Sequence, residues 1–399
     1  MLKGLIIFLL TLLCTSVYAR QETANNAISD TLMHQAHLRI SLLTYGPGEM
    51  IWQKFGHICI RIVDSTRIDD SRDLVYNFGT FDARGKNFEM ELVTGELLYY
   101  LSVIPYDFFS KNLTDPGQEA MEQLFLLDNN QKTALLSALQ TNAMFKNKFY
   151  HYQFFEDNCS TRIRDIFPRI FGKAFAYGNV LPRSSKLTFR QIVNRYLYNN
   201  GWYRVGGDIL MGDGADKVMT DMDVMFLPAY LKEGVAQATL NGNRFSSGPL
   251  TINEGTPTQP NTFNGVFLLT LILALLTLAG LTFTKLHMPG KIASILMLVL
   301  TGSLGCFILF AWFGTEYLAF RNNLNILWAL PTNLIVPFMK PKTKGIYSIG
   351  AIILMATSLL LHIFKIQELP LLELTPVLLA LLCIYGMFYK NRMTLINKS

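Results

Sequence analysis

Acidic side chains almost vanish from the last third of this 399-residue sequence. Of its 29 aspartates and glutamates, only Glu316, Glu368 and Glu373 lie beyond residue 265. A stretch so poor in negative charge and so apolar marks a lipid-exposed region, distinct from the water-exposed residues before it. Other absences narrow the function classes. There is no P-loop, no dinucleotide-binding glycine signature, no paired CxxC and no internal repeat, which removes the sequence marks of nucleotide binding and of paired-cysteine chemistry. The net charge of +6 is no nucleic-acid signature, because much of the excess sits beside apolar runs. Cysteines are few as well. Cys14 lies at the start, Cys306 and Cys383 in apolar runs, and only Cys59 and Cys159 in the polar part.

Residues 1–19 read as a signal peptide, with Lys3, an apolar stretch from Leu5 to Leu13, and Val17-Tyr18-Ala19 as the cleavage site. Leu13 is too bulky for Cys14 to begin a lipoprotein. Four apolar runs follow residue 265: Val266–Thr284, Ile292–Phe313, Ile346–Phe364 and Leu371–Tyr389. A fifth, Leu324–Phe338, is shorter and carries Asn325, Pro331, Asn333 and Pro337. If all five cross a membrane with residues 20–263 outside, the inner loops hold Lys285, Lys291, Lys340, Lys342, Lys344, Lys390, Arg392 and Lys398. The outer loops hold Arg321 and Lys365. That asymmetry obeys the positive-inside rule and favours five crossings. The expected organisation is therefore an exported domain over 20–250, a linker over 251–264, an all-α bundle of about five helices over 265–390 and a cytoplasmic tail over 391–399. The polar residues between the second and third runs, from Gly314 to Asn325, read as a hydrated turn or as a contact for headgroups or substrate.

Within the exported domain, residues 37–46, 57–63 and 74–78 alternate or run apolar as strands do, whereas 131–143 and 160–171 have helical spacing. This predicts a mixed α+β domain with an antiparallel sheet. Two stretches carry chemistry. In the strand Phe55 to Val63, alternation puts Ile58, Ile60 and Ile62 on one face and His57, Cys59 and Arg61 on the other. In Glu156-Asp157-Asn158-Cys159-Ser160-Thr161-Arg162, Asp157 or Asn158 is a suitable N-cap. The helix beyond it repeats Ile163, Ile166, Phe167 and Ile170 along one stripe. Cys159 then sits at a helix N-terminus, where the dipole and free N–H groups favour a thiolate and an oxyanion. A thiol also needs a base. His57 is the first candidate and His151 the second. His34 and His37 follow the mature N-terminus closely, and His287 and His362 belong to the apolar half. A disulfide between Cys59 and Cys159 is the competing reading.

The motifs FGHICIRI and, far downstream, DNCSTRIRD resemble the circularly permuted papain-like thiol enzymes, the group of lecithin:retinol acyltransferase and the NlpC-type hydrolases. More closely, the chain resembles the Lnb family of membrane-bound lipoprotein N-acyltransferases. That resemblance runs through TYGPGEMIWQKFGH, VYNFGTFD, YHYQFFEDNCSTRIRD, MTDMDVMFLPAYL and WFGTEYLAFRNNLNILWALP. It implies a permuted papain-like (NlpC/LRAT-like) periplasmic domain before a transmembrane bundle in the bacterial inner membrane. It also implies Cys159 as nucleophile, His57 as general base and Asn77 as the residue that orients the imidazole. Asn77 departs from the second histidine of the lecithin:retinol acyltransferase group and could equally be a strand residue bonded to backbone. The implied reaction takes an acyl chain from a membrane phospholipid through a Cys thioester to the α-amine of a diacylglyceryl-cysteine lipoprotein. It calls for no cofactor, metal or nucleic acid. An envelope thiol peptidase or amidase, and a non-catalytic scaffold with a Cys59–Cys159 bridge, are the alternatives. Arg162 reads as a salt-bridging helix residue, and Asp213, Asp216 and Asp221 as a polar loop, since their spacing fails the calcium-loop pattern.

Overall fold

The computed structural model describes residues 37–256 and 263–396. The expected signal peptide, His34, part of the linker and residues 397–399 lie outside them. The chain forms two compact units, Met1–Lys186 with Met219–Thr258, and Leu187–Val218 with Gln259–Ser399. It therefore passes between them three times. The second unit takes in a stretch from the middle of residues 20–250.

The first unit is α+β. Its strands are β1 (Leu38–Tyr45), β2 (His57–Asp64), β3 (Asp73–Phe81), β4 (Leu98–Pro105), β5 (Ala120–Leu124) and β6 (Phe149–His151). A small three-stranded sheet joins β7 (Phe175–Ala176), β8 (Thr239–Leu240) and β9 (Asn243–Arg244), and β10 (Leu250–Asn253) returns to the main sheet. That sheet runs β10-β5-β1-β2-β3-β4-β6, with every pairing antiparallel. Its helices include α1 (Phe88–Thr94), α2 (Tyr106–Asn112), α3 (Asn129–Ala143) and α4 (Cys159–Phe171), with Asp221–Val224 and Pro228–Ala236 following after the excursion into the second unit. The three strands and two helices expected from periodicity are present, each within a few residues of the expected bounds.

Strand alternation decides what each face buries. Ile58, Ile60 and Ile62 enter one core with Leu135, Leu136 and Leu139 of α3 and Ile163, Ile166 and Phe167 of α4. Cys59 points the other way, into a second cluster with Leu43, Tyr45, Val75 and Phe109. Arg61, on that same face, is neutralised by Asp73 at 2.5 Å and lies 3.6 Å over the Tyr106 ring. Pro168 interrupts α4 without ending it. Proline has no N–H for the Arg164 carbonyl four residues back, and the Tyr177 hydroxyl donates to that carbonyl instead, at 2.8 Å.

The second unit holds α5 (Phe189–Tyr196), α6 (Gly201–Leu210) and four long apolar helices: α7 (Gly265–Thr282), α8 (His287–Phe313), α9 (Pro341–Ile363) and α10 (Leu371–Ile396). All four are long and apolar enough to cross a membrane. Gly280 of α7 and Gly290 of α8 let the two backbones touch: a Cβ on Gly280 would lie 2.1 Å from Gly290 Cα.

Of the about five expected segments, four are continuous helices and one is built differently. Residues 324–338 form three short 3-10 turns, not one helix. Pro331 and Pro337 lack the N–H that a continuous helix requires, and the asparagines engage in bonds of their own. This segment nevertheless runs the length of the bundle. At one end, Leu324 N–H donates to Gln367 in the turn between α9 and α10; at the other, Lys344 in the first turn of α9 donates to the Pro337 carbonyl. Midway, Asn333 Oδ1 accepts from Tyr347 and Tyr385, and its Nδ2 donates to Thr301 of α8. Thirteen steps at the 3-10 rise of about 2.0 Å give roughly 26 Å, close to a hydrocarbon core of about 30 Å. Asn323 and Asn325, which the sequence left as a hydrated turn or a ligand contact, are fully buried. Their side chains donate to the Ile209 carbonyl, and Asn323 also to that of Leu210, satisfying the C-terminal end of α6.

Arg190 of α5 is the largest of the fully buried side chains. It holds Asp216 through Nε at 2.8 Å and Nη2 at 2.9 Å, and donates to the carbonyls of Asp208, Met211 and Gly212. Asp216 is thus a counterion, and Asp221 accepts from the N–H groups of Val180 and Leu181. Replacing Arg190→Met strands Asp216 without its partner and should cost about 3–5 kcal/mol. Thermal unfolding of the purified full-length chain should show the loss; an unchanged midpoint contradicts this account.

Candidate active site

Three elements of the first unit meet at one end of the main sheet. Gly56 turns the chain into β2 with φ of +78°, and a Cβ there would lie 2.5 Å from the Tyr45 carbonyl, so only glycine fits. His57 follows as the first residue of β2. Cys159 opens α4, whose N-cap is Asn158. The Asn158 Oδ1 accepts from Ser160 and Thr161 N–H at 2.8 and 3.0 Å, while its Nδ2 donates to the carbonyls of Phe154 and Phe226. Every polar atom of this buried amide is used, which fixes where the helix begins and therefore where the thiol stands. The cap takes the second and third N–H groups of the helix and does not use the first, that of Cys159 itself.

The third element is a bulge in β3. Asn77 pairs with Ser102 and Thr80 with Tyr100, so Phe78 and Gly79 together oppose Leu101. The bulge turns the Asn77 amide toward His57. Gly79 N–H donates to Asn77 Oδ1 at 2.9 Å, and Asn77 Nδ2 donates to Thr80 Oγ1 at 3.3 Å. The amide orientation is thereby fixed, with Oδ1 the acceptor. His57 Nε2 lies 2.8 Å from the same oxygen and must carry the proton that bridges them. Nδ1 is left as the basic nitrogen, and the imidazole and the Cys159 thiol are near enough for their charges to interact. Asn77 Oδ1 thus contacts both the His57 ring and a backbone N–H.

Electrostatics separate the two exported-domain cysteines. Burial works against the Cys159 thiolate, but the His57 charge, the His57 hydrogen bond and the Ile58 N–H outweigh it and bring the thiol below its ordinary pKa. Burial likewise opposes the imidazolium, yet Cys159 and the Asn77 bond raise His57 above its ordinary value. For Cys59, burial and the nearby Cys159 outweigh the charge of Arg61 and push the thiol well up. Both thiols are free, packed in separate clusters, so no bridge joins them.

The remaining candidates lie elsewhere. His151 is exposed on the edge strand β6, opposite Leu98, and His37 is exposed at the far end of β1. Arg162 forms a two-point pair with Asp157 at 2.5 and 2.6 Å and sits 4.2 Å over the Tyr150 ring. Among the described residues no cluster of histidine, cysteine or acidic side chains could hold a metal ion. An open cleft of about 690 Å³ lined by His37, Arg39, Arg61, Arg72 and Asp73 lies at the opposite end of the sheet, its Arg61 already committed to Asp73 and Glu122.

Two residues beyond the expected set shape the site. A Cβ on Gly79 would lie 2.7 Å from His57 Cε1. The Tyr150 hydroxyl donates to the Phe78 carbonyl, which ties down the bulge. A glycine inside a strand pattern is a known bulge signal, so NFGTF offered a hint of Gly79; nothing local marks Tyr150.

The paired shifts set a direction for pH. The thiolate should persist on the acid side of an ordinary thiol near 8.5, down to the lowered Cys159 pKa. Iodoacetamide labelling of Cys159 should therefore stay fast below that range, and in His57→Ala the inflection should move upward, because the largest stabilisation of the thiolate is lost while burial remains. Identical profiles for the two proteins refute the pairing. Gly79→Ala should displace the imidazole and slow labelling near neutral pH, with the circular dichroism spectrum unchanged.

Comparison with known proteins follows the same division of the chain. The Lnb N-terminal periplasmic domain matches residues 26–195, and the Lnb transmembrane domain matches residues 253–394. Searches of curated proteins and of solved structures found no match. The two domains, with the four apolar helices, make this a membrane protein whose N-terminal domain is periplasmic. They suggest a membrane enzyme of lipoprotein processing. Matched over most of its length in this order, the chain belongs to the Lnb family.

Proposed function

We propose that this protein is a lipoprotein N-acyltransferase of the bacterial inner membrane, working through a thioester on Cys159. The observation that carries the reading is the cluster of Cys159, His57 and Asn77 in a chain built to stay in a membrane. A thiol activated at a helix N-terminus by an oriented imidazole is a nucleophile for acyl groups. A membrane anchor keeps it beside lipid esters.

In the first step His57 Nδ1 takes the thiol proton, and the thiolate attacks the ester carbonyl of a membrane phospholipid. The Cys159 N–H, which the Asn158 cap does not use, is a donor for the resulting oxyanion. Collapse of the tetrahedral adduct breaks the ester C–O bond. The imidazolium returns its proton to the departing alkoxide, giving a lysophospholipid and an acyl thioester. In the second step the α-amine of a diacylglyceryl-cysteine lipoprotein attacks the thioester carbonyl. An α-amine with a pKa of about 8 is substantially unprotonated at neutral pH. Its proton passes to His57, the C–S bond breaks, and the thiolate is regenerated beside the imidazolium. The acyl group moves from ester to thioester to amide, downhill at the end, so no external energy source enters.

Mass spectrometry of lipoproteins from cells carrying Cys159→Ser should show loss of N-acylation at normal protein levels; retained N-acylation removes the proposal. The purified chain, given phospholipid and a diacylglyceryl lipopeptide, should form amide and lysolipid. Cleavage of the peptide instead identifies a thiol peptidase using the same residues. Asn77→Ala should lower kcat by roughly 10- to 100-fold with a smaller effect on KM, because it frees the imidazole without touching substrate.

A further inference from the structure

The dyad end of the sheet carries more than the dyad. Antiparallel pairing places several connections together there. Tyr45 pairs with His57, Ala120 with Tyr45, Phe81 with Tyr99 and Leu98 with His151. The loop from β1 to β2 and the segment from β3 to β4 therefore project from the same end as the thiol and the imidazole. Both present large apolar side chains to the outside. Met50, Ile51 and Trp52 lie in the first, with Trp52 59% exposed; Met90 and Val93 of α1 lie in the second, with Met90 63% exposed; Leu98 follows at the start of β4. The β2–β3 hairpin at the opposite end is of another character. Its loop from Asp64 to Asp73 holds Arg67, Asp69, Asp70 and Arg72, and Ile68 is its one apolar side chain.

Apolar residues gathered at one end of a water-exposed domain mark a surface that something covers. The covering partner follows from the course of the chain. The last strand, β10, pairs with β5 so that Asn253 lies opposite Ala120, at the dyad end. From there only twelve residues lead to Gly265, the first residue of an apolar span, a reach of at most about 40 Å. The polypeptide thus leaves the sheet at its apolar end and enters the hydrocarbon soon after.

We infer that Met50, Ile51 and Trp52, with Met90 and Val93, insert into the outer leaflet of the membrane that anchors the chain, so that the catalytic end of the sheet docks on the lipid surface. Tryptophan is well suited to this place, having an apolar body and an N–H that can remain in the headgroup layer. Docking shortens the path of an acyl ester to Cys159, since the glycerol backbone lies just above the depth these side chains would reach. The inference deepens the acyl-transfer proposal, yet insertion is measured without turnover, so either can fail alone.

The experiment uses the full-length chain in nanodiscs of phosphatidylethanolamine and phosphatidylglycerol, with and without brominated acyl chains. The chain has four tryptophans, and subtracting the emission of Trp52→Phe from that of the unaltered protein isolates Trp52. The difference emission should be blue-shifted, quenched by brominated lipid and insensitive to aqueous iodide. Val93→Trp, made in the Trp52→Phe background, reports on the second segment and should behave alike. Emission from either position that is quenched by iodide and indifferent to brominated lipid overturns the inference. Trp52→Glu with Met90→Glu should slow reaction with bilayer phospholipid at least about tenfold, while iodoacetamide labelling of Cys159 is unchanged. Equal losses in both assays would point to a damaged site and overturn the docking role.

Discussion

One hydrogen bond organises the thiol end of the main sheet, that between His57 Nε2 and Asn77 Oδ1. It selects the tautomer, and the tautomer decides which nitrogen meets the thiol. Asn77 can do this only because its own amide is pinned by Gly79 and Thr80, and those positions exist only because β3 bulges. The bulge, in turn, leaves the Phe78 carbonyl to be satisfied by Tyr150 on β6, two strands away across β4. A chain of backbone and side-chain bonds thus converts a local irregularity of the sheet into the tautomer of one imidazole.

The two cysteines of this domain illustrate how little residue type decides. Cys59 is fully buried and Cys159 only partly so, and burial, with repulsion from the Cys159 thiolate, makes the first an inert packing group. The second has a helix terminus, a backbone N–H and an imidazole directed at it. The sequence alone leaves a disulfide between Cys59 and Cys159 as a competing reading. The strand face and the helix face then send them into different clusters.

Much of this was legible in advance, where periodicity was strong. The isoleucine alternation of β2, the 163–170 stripe of α4 and the four long apolar runs all gave elements close to those observed. Short elements such as β6 and α1 carry too few residues for a period to register, and β4, with both faces partly covered, blurs its alternation. The segment 324–338 showed its prolines and asparagines openly. What those residues would do depended on partners far away in sequence, namely Thr301, Tyr347 and Tyr385 for Asn333. The Cys159 and His57 pair was proposed from motif spacing and family resemblance, but Gly79 and Tyr150 emerge only from the register of β3 with β4 and of β4 with β6.

The interleaving of the two units has a consequence for biogenesis. Synthesis runs from the N-terminus, yet β10, the strand that closes the outer edge of β5, comes from residues 250–253, after the whole of Leu187–Val218 has emerged. Until then the nascent sheet exposes an unpaired edge, and the α5–α6 segment waits for helices that have not yet been made, Glu368 and Glu373 being among its eventual partners. Maturation of the periplasmic domain is thereby coupled to translocation of the residues that immediately precede the first span.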